Sequence, residues 1–216
     1  LKKLEKHTND ISSVAITPNG EVGLTGSFDG TCILWDLTTG KTLKTLNGRT
    51  RVFHSVSMTP DGKIAISGSR DKDSFENHCT IWNLTTGQDI QTLQGHYDSI
   101  KAVSITPDGR KALSVSWDNS CIVWDLTTGK ASEIKIVHKS EVSSISIAPV
   151  GDVALSGSRD NTCILWDLKT GKVKQTFRGH TAGVSTVLIT PEGSRALSGS
   201  YDKTCILWDL EKAVTF

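Results

Sequence analysis

The hydrophobic positions of the chain recur in short blocks that are typical of β-strands. The first block, "ISSVAIT", leads into the turn "TPNG", whose Pro and Gly occupy positions that a type I turn favours. The blocks "EVGLTGS" and "TCILWDL" follow, separated by a short polar turn, and "TTGK" then leads into "KTLKTL". No stretch has good helical periodicity. The pattern therefore predicts units of four strands and essentially no helix.

The third block of each unit is apolar at consecutive positions rather than at alternate ones. In the first unit these positions are Cys32, Ile33, Leu34 and Trp35. A strand with one face in solvent alternates apolar and polar residues, whereas a strand covered on both faces need not. Each unit is therefore predicted to be a small four-stranded antiparallel sheet packed between its copies.

The units are copies of one sequence repeat. The marker tryptophans lie at intervals of 47, 42, 42 and 42 residues and are Trp35, Trp82, Trp124, Trp166 and Trp208. The longer interval holds five extra residues between Ser69 and Trp82, in a polar segment around 72–78 whose one large apolar residue is Phe75. The single predicted domain, residues 1–216, divides into repeats at approximately 1–42, 43–89, 90–131, 132–173 and 174–216.

A paired "WD" ends the third block of four repeats, as at Trp35-Asp36, and "GH" pairs stand at Gly95-His96 and Gly179-His180. This recurring pattern resembles the WD-repeat β-propellers. Repeat 2 departs from it with Trp82-Asn83, and repeat 1 with Lys6-His7. The resemblance implies an all-β protein, a β-propeller of five four-stranded antiparallel blades.

The resemblance also implies how the ring of blades is closed. Leu1 and Phe216 fall on the same repeat position as Leu43, so the N-terminal strand is expected to complete the last blade. Five blades are few for this family, and two alternatives stay open: closure at five, or a section of, or building block for, a larger ring. An incomplete ring would expose an apolar blade face at each end, and such a face favours self-association.

Four residue types recur at fixed repeat positions. In the WD-repeat family such a His, Ser or Thr, Asp and Trp form a hydrogen-bonded network inside each blade. The matching residues here are His7, Thr25, Asp29 and Trp35; His96, Ser114, Asp118 and Trp124; His138, Ser156, Asp160 and Trp166; and His180, Ser198, Asp202 and Trp208. Repeat 2 has Arg49 for the His but keeps Ser67 and Asp71.

Ser, His and Asp together are also the groups of a hydrolase triad. A catalytic set is needed once, however, and this set occurs four times at one spacing. We therefore predict a structural role for it and no catalytic residues. Enzymatic use of the central channel is the less favoured alternative, because no acidic pair, metal cluster or phosphate loop stands outside the repeat pattern.

Charge and cysteine usage narrow the function classes further. Lys and Arg number 24 against 23 for Asp and Glu, a balance that disfavours nucleic-acid binding. No apolar run is long enough to span a membrane. The five cysteines each lie three residues before a marker Trp, which is a repeat spacing and not a metal-ligand spacing. We expect reduced, buried thiols, no metal, no cofactor and a cytoplasmic location.

One repeat position varies while its neighbours are nearly constant. The residue before each turn Asp is an aromatic or an arginine: Phe28, Arg70, Trp117, Arg159 and Tyr201. In the resembled fold this position lies on the channel rim, near His54 and Lys101 and on the face that carries the insertion. Packing against the neighbouring blade is one explanation. The favoured one is partner binding, since Trp, Tyr and Arg are enriched at binding hot spots.

The sequence thus favours a non-enzymatic interaction scaffold or sensor module, of the kind used in signalling. Its predicted ligand is a protein or peptide, and the three basic residues of the rim favour an acidic one.

Overall fold

The computed structural model describes residues 2–48, 52–70, 77–136, 138–149 and 151–211, with the backbone alone for 132–136. Within these residues every regular element is a β-strand, and the strands form five antiparallel sheets in chain order, here called blades 1 to 5. The prediction of an all-β propeller architecture is confirmed.

Each blade is a meander in which consecutive strands are neighbours. Blade 1 contains β1 (Ile11–Ile16), β2 (Val22–Ser27), β3 (Thr31–Asp36) and β4 (Lys41–Asn47). Blade 2 contains β5 (Val52–Met58), β6 (Ile64–Arg70), β7 (His78–Asn83) and β8 (Gln88–Gln94). Blade 3 contains β9 (Ile100–Ile105), β10 (Lys111–Ser116), β11 (Ser120–Asp125) and β12 (Lys130–Ile136). Blade 4 contains β13 (Val142–Ile147), β14 (Val153–Ser158), β15 (Thr162–Asp167) and β16 (Lys172–Arg178). The described part of blade 5 contains β17 (Val184–Ile189), β18 (Arg195–Ser200) and β19 (Cys205–Asp209).

The third strand is buried on both faces in blades 1 to 4, as its apolar run predicts. In β3, Cys32, Ile33 and Trp35 are all at most 3% exposed. The hydrophobic core is divided into four clusters, one at each junction between consecutive blades. At the first junction, Leu24 of blade 1 packs with Phe53 and Val56 of blade 2. Burial of apolar area between neighbours is therefore what holds the blades together.

The Asp of each "WD" pair closes the turn into the fourth strand. Asp36 accepts hydrogen bonds from the backbone N–H groups of Thr38 and Thr39 at 2.9 and 3.0 Å. Asn83, the departure in repeat 2, accepts the same two bonds from Thr85 and Thr86 at 3.0 Å each. An amide oxygen replaces a carboxylate oxygen here and keeps both backbone bonds of the turn.

Hydroxyl groups also link the first strands of consecutive blades. The N–H of Val56 donates to Ser13 Oγ at 3.1 Å, and the N–H of Val103 donates to Ser55 Oγ at 3.1 Å. Val187 N–H bonds Ser144 Oγ in the same way at 3.2 Å. At the junction of blades 3 and 4 the equivalent residue is Ala102, which has no hydroxyl to offer.

The N-terminal segment differs from our expectation. Residues 2–10 form no strand, and Lys2 Nζ donates to Thr38 O at 2.7 Å, on the turn that follows β3 of blade 1. These residues therefore lie beside their own blade and not beside β19. The expected fourth strand of blade 5 is absent from the described residues, and Leu1 and Phe216 lie outside them.

The blades form an open arc. Val14 of blade 1 and Leu207 of blade 5 are 70% and 62% exposed, although their counterparts within the arc lie in the cores of the junctions. Cys205 corrects a further expectation: four cysteines are buried, but this one is exposed because no following blade covers blade 5. Burial raises the pKa of the thiols of Cys79, Cys121 and Cys163 to about 12.

Candidate functional site

The four repeated residue types are joined inside each blade that keeps the His. In blade 1, His7 Nδ1 lies 2.8 Å from Asp29 Oδ2, and His7 Nε2 lies 2.7 Å from Thr25 Oγ1. The indole N–H of Trp35 donates to the same hydroxyl at 2.9 Å. A line of hydrogen bonds therefore runs from the surface turn to the centre of the blade.

The same network is present in blades 3, 4 and 5. The distances from His Nδ1 to Asp Oδ2 are 3.0, 3.0 and 2.8 Å for His96–Asp118, His138–Asp160 and His180–Asp202. The distances from His Nε2 to Ser Oγ are 2.6, 2.8 and 2.7 Å for His96–Ser114, His138–Ser156 and His180–Ser198. The indoles complete the network at 2.7, 2.9 and 2.8 Å for Trp124–Ser114, Trp166–Ser156 and Trp208–Ser198.

Blade 2 keeps the inner half of the network. Trp82 donates its indole N–H to Ser67 Oγ at 2.8 Å, as in the other blades. Arg49 and Asp71 lie outside the described residues, as do residues 71–76 of the insertion. The placement of the insertion on the rim face stays a prediction, but Asn77 and His78 at its end are buried in the blade.

The turn carboxylates are held ionised. Burial by itself raises the pKa of Asp29, but hydrogen bonds from the Thr31 hydroxyl, the Thr8 N–H and His7 outweigh it and bring the pKa down to about 2. The pKa values of Asp118 and Asp160 lie well below the usual range because bonds from His96 and His138, among others, likewise outweigh burial. An ionised Asp that accepts several bonds fixes the turn on which the rim residue stands.

The turn between the second and third strands places the rim residue by its backbone. The N–H of Trp117 donates to Ser99 O at 3.1 Å, and the N–H of Arg159 donates to Glu141 O at 2.9 Å. Phe28 and Tyr201 make the equivalent bonds at 3.0 Å each. The rim side chains therefore project from a fixed frame, whatever their identity.

Two residues after each rim residue, the turn needs a left-handed backbone. Gly30 has φ of 79°, and Asn119 and Asn161 have 69° and 71°. Gly and Asn adopt this region at low cost, but Lys203, with φ of 71°, is a residue type that rarely does. The stretches 156–168 and 198–210 differ at two positions, and one of these, Asn161 against Lys203, is the position with the left-handed backbone.

Three cations converge on the ring of Trp117. Lys101 Nζ lies 4.7 Å from the ring centroid, and the guanidinium carbons of Arg70 and Arg159 lie 5.6 and 5.9 Å from it. Each distance is within the range of a cation–π contact. Arg159 also lies 5.9 Å from the ring of Tyr201, so the contacts extend from blade 2 to blade 5. We call Arg70, Lys101, Trp117, Arg159 and Tyr201 the cationic rim.

The charges of the cationic rim act on one another. Burial, together with the nearby Arg70 and Arg159, lowers the pKa of Lys101, and Glu141 acts in the opposite direction. Glu141 ion-pairs with Arg159 at 3.2 Å. The sequence reasoning missed Glu141, because no repeat pattern marks this position. The charged side chains in these contacts are therefore three cations and the one carboxylate of Glu141.

The remaining two predicted rim residues lie together at the blade 1 side. Phe28 and His54 make an edge-to-face contact with ring centroids 5.4 Å apart. Burial, together with the positive charges of Lys101 and Arg70, lowers the pKa of His54 to about 4. His54 is therefore neutral at pH 7, and its Nε2 is buried without a hydrogen-bond partner among the described residues.

The opposite face carries the "TPDG" turns and a shallow cleft between blades 2 and 3. Thr59, Pro60, Asp61, Pro107 and Asp108 line this cleft.

The sequence profile of the family described as "WD domain, G-beta repeat" matches residues 1–36, 40–83, 87–125, 132–167 and 171–209. The chain belongs to the WD-repeat family. The matched stretches follow the five repeats, so membership in the WD-repeat family covers the arc from blade 1 to blade 5.

Individual WD-repeat relatives match over short segments. "Small ribosomal subunit protein RACK1y" of Oryza sativa subsp. japonica is 47% identical over 45 residues, which are 21% of this chain and 13% of the relative. "Dynein assembly factor with WD repeat domains 1" of Macaca fascicularis and of Homo sapiens is 42% identical over 48 residues, 22% of this chain and 12% of the relative. The similarity thus spans roughly one repeat.

The described residues hold no group of three or more His, Cys, Asp or Glu side chains arranged to bind a metal ion. Across the same residues, no helix has the length and apolarity to cross a membrane.

Proposed function

We propose that this WD-repeat protein is a non-enzymatic scaffold, cytoplasmic and of use in signalling, that binds an acidic segment of a partner protein on its cationic rim. The observation that carries the proposal is the convergence of Arg70, Lys101 and Arg159 on Trp117 within 6 Å. Membership in the WD-repeat family supports the scaffold role, because its members generally act in protein interaction.

The composition of the rim suits an acidic peptide. Carboxylates can pair with the guanidinium groups in a planar, two-bond geometry, while the aromatic faces accept apolar parts of the same ligand. Tyr201 is 62% exposed, so its ring is available for such a contact. Because several rim groups are half-buried, the attraction is less screened by salt than that of fully exposed charges.

The test is a binding titration with fluorescently labelled synthetic peptides. One peptide set is rich in Asp and Glu, and a matched set of equal length carries Gln and Asn at the same positions. We expect the parent chain to bind the acidic set in preference to the neutral one. We expect Trp117→Ala and Arg159→Ala each to raise Kd by about tenfold or more, as for hot-spot residues.

The matched control is Arg110→Ala, which removes an exposed cation from the "TPDG" face. It should leave the affinity for the acidic peptides unchanged. Equal affinity of the parent for the acidic and neutral peptides contradicts the proposal, as does loss of binding in Arg110→Ala with full binding in both rim variants. A steep salt dependence with duplex DNA as the ligand would instead support nucleic-acid binding.

A further inference from the structure

Each end of the arc exposes a sheet face that is buried at every internal junction. The leading face, on β1 of blade 1, consists of Ile11, Val14 and Ile16, which are 51%, 70% and 62% exposed. The trailing face, on blade 5, consists of Leu188, Leu197, Gly199, Cys205 and Leu207. Its leucines are 66%, 46% and 62% exposed in that order.

The same repeat positions are closed wherever two blades meet. The counterparts of Val14 are 4–9% exposed and are Val56, Val103, Ile145 and Val187. The counterparts of Leu197 are at most 1% exposed and are Leu24, Ile66, Leu113 and Leu155. Residues at the repeat positions of the leading face therefore pack against residues at the repeat positions of the trailing face at four junctions within one chain.

At three of the four junctions the fit depends on a glycine of the second strand, which is Gly26, Gly68 or Gly157, whereas blade 3 has Val115 at this position. A Cβ atom placed on Gly26 would come within 2.7 Å of Val56 Cγ1, and one on Gly157 within 2.7 Å of Val184 Cγ1. Gly199 is the same residue of blade 5, and there only atoms of its own blade lie nearby. At these three internal junctions, a valine of the next blade packs directly over this glycine. The corresponding space over Gly199 is present on the trailing face and holds no such side chain.

The polar groups of the junction are repeated as well. Ser143 Oγ donates to Val184 O of the next blade at 2.5 Å, and Ser144 Oγ accepts from Val187 N–H at 3.2 Å. On the trailing face these positions hold Ser185 and Thr186, both with hydroxyl groups. The corresponding backbone groups of the leading face are Ile11 O and Val14 N–H, since Ile11 and Val14 are the repeat counterparts of Val184 and Val187.

One hydrogen bond of the internal junctions has no counterpart between the trailing face and the leading face. Ser146 Oγ accepts from Ile189 N–H at 3.1 Å, but blade 5 has Leu188 at the position of Ser146. The leucine adds apolar area to the trailing face in exchange for that bond.

We propose that the trailing face of one copy of this chain binds the leading face of a second copy, in the geometry of its internal junctions. Because the two faces differ, the contact is heterologous and continues until a ring closes or the chain of copies ends. The second copy is the partner whose surface is known to fit, since the same residue set already packs against its counterpart four times.

The experiment measures association by sedimentation velocity from nanomolar to high micromolar protein. Val14→Asp blocks the leading face and Leu207→Asp blocks the trailing face, and both residues are solvent-exposed within a single copy. We expect each variant alone to raise Kd for self-association by at least about tenfold. An equimolar mixture should restore dimers, because each variant keeps the face that the other has lost, and should form nothing larger.

The control Ile90→Asp places the same charge at a residue of β8 that is 54% exposed and lies on neither face. It should associate like the parent. A second readout is the thiol of Cys205, which should react with an aromatic disulfide reagent in dilute protein and become protected as copies associate. The counterparts of Cys205 are at most 4% exposed and are Cys32, Cys79, Cys121 and Cys163.

Two results would overturn the proposal. One is a monomeric parent over the whole concentration range with Cys205 equally reactive throughout. The other is association that Val14→Asp and Leu207→Asp fail to weaken, or that their mixture fails to restore. Circular dichroism of each variant separates these results from a failure to fold. Trp117 lies in blade 3, away from both terminal faces, so peptide binding by Trp117 variants is measured independently.

Discussion

At the scale of single residues, the buried histidines illustrate why a catalytic-looking set of groups is structural here. Each imidazole has both ring nitrogens engaged, one by the turn Asp and one by a hydroxyl that also accepts an indole N–H. The hydrogen bonds of this set therefore lie within the blade, and its hydroxyl, that of Ser156, is fully buried.

Replacing His138 with Ala should destabilise the fold. Ser156 and Asp160 would each lose a partner in a site whose serine is fully buried, which typically costs about 1–3 kcal/mol. Urea denaturation followed by Trp fluorescence measures the change. Tyr97→Ala, at a residue that is 89% exposed, serves as the control and should leave the urea midpoint in place.

The protonation of His54 reports on the cationic rim. Its folded pKa of about 4 lies below the ordinary 6.5, so His54 stabilises the fold fully above about pH 6.5, and this contribution is lost as the pH falls toward 4. Removing one charge with Lys101→Gln should raise the folded pKa of His54. Histidine NMR titration measures it, with Lys130→Gln as the remote control. An unchanged pKa would show that the two side chains do not interact.

At the scale of the element, the turn between the second and third strands combines a fixed frame with one free position. The Asp, the preceding Ser and the left-handed residue set the backbone, and the rim residue then varies from Phe to Arg to Trp without altering it. This division of roles explains how five similar blades can present four different side chains at one repeat position.

Replacing Lys203 with Gly should stabilise blade 5. A left-handed backbone costs a residue with a Cβ roughly 1 kcal/mol relative to Gly, although the greater freedom of Gly in the unfolded chain offsets part of the gain. Thermal unfolding should therefore shift upward by a few degrees at most. Asn161→Gly is the matched comparison and should gain less, since Asn already tolerates the region. A lower melting temperature for Lys203→Gly would refute the strain argument.

The strands and the buried network could be predicted from the sequence because five copies repeat the same spacing. Because the five copies can be compared position by position, a residue such as Asn83 or Ala102 is recognised as a departure from the repeat. The convergence of Arg70, Lys101 and Arg159 could not be predicted, because it depends on how far neighbouring blades rotate relative to one another. Glu141 could not be predicted because no repeat pattern marks its position.

At the scale of the whole molecule, the open arc makes the two terminal blades unlike the three between them. The position of a residue within its repeat does not decide its burial; the presence of a neighbouring blade does. The expectation that Cys205 is buried was therefore wrong for this structure.

Thiol counting should reveal this difference between blades. In native, dilute protein one thiol of five should react rapidly, that of Cys205, because the others are buried and deep burial raises the pKa values of Cys79, Cys121 and Cys163 to about 12. In denaturant without reductant all five should react. Fewer than five would indicate a disulfide, and more than one native thiol would indicate that an inner junction opens.

The missing hydroxyl at Ala102 has a mechanical consequence. A row of similar junctions that is pulled apart from its two ends yields first at the weakest one, whatever the strength of the rest. The junction of blades 3 and 4 lacks the serine bond that the other three possess, so stretching the chain should separate blades 1–3 from blades 4 and 5 as two bodies. Ala102→Ser would then move the point of rupture elsewhere along the arc.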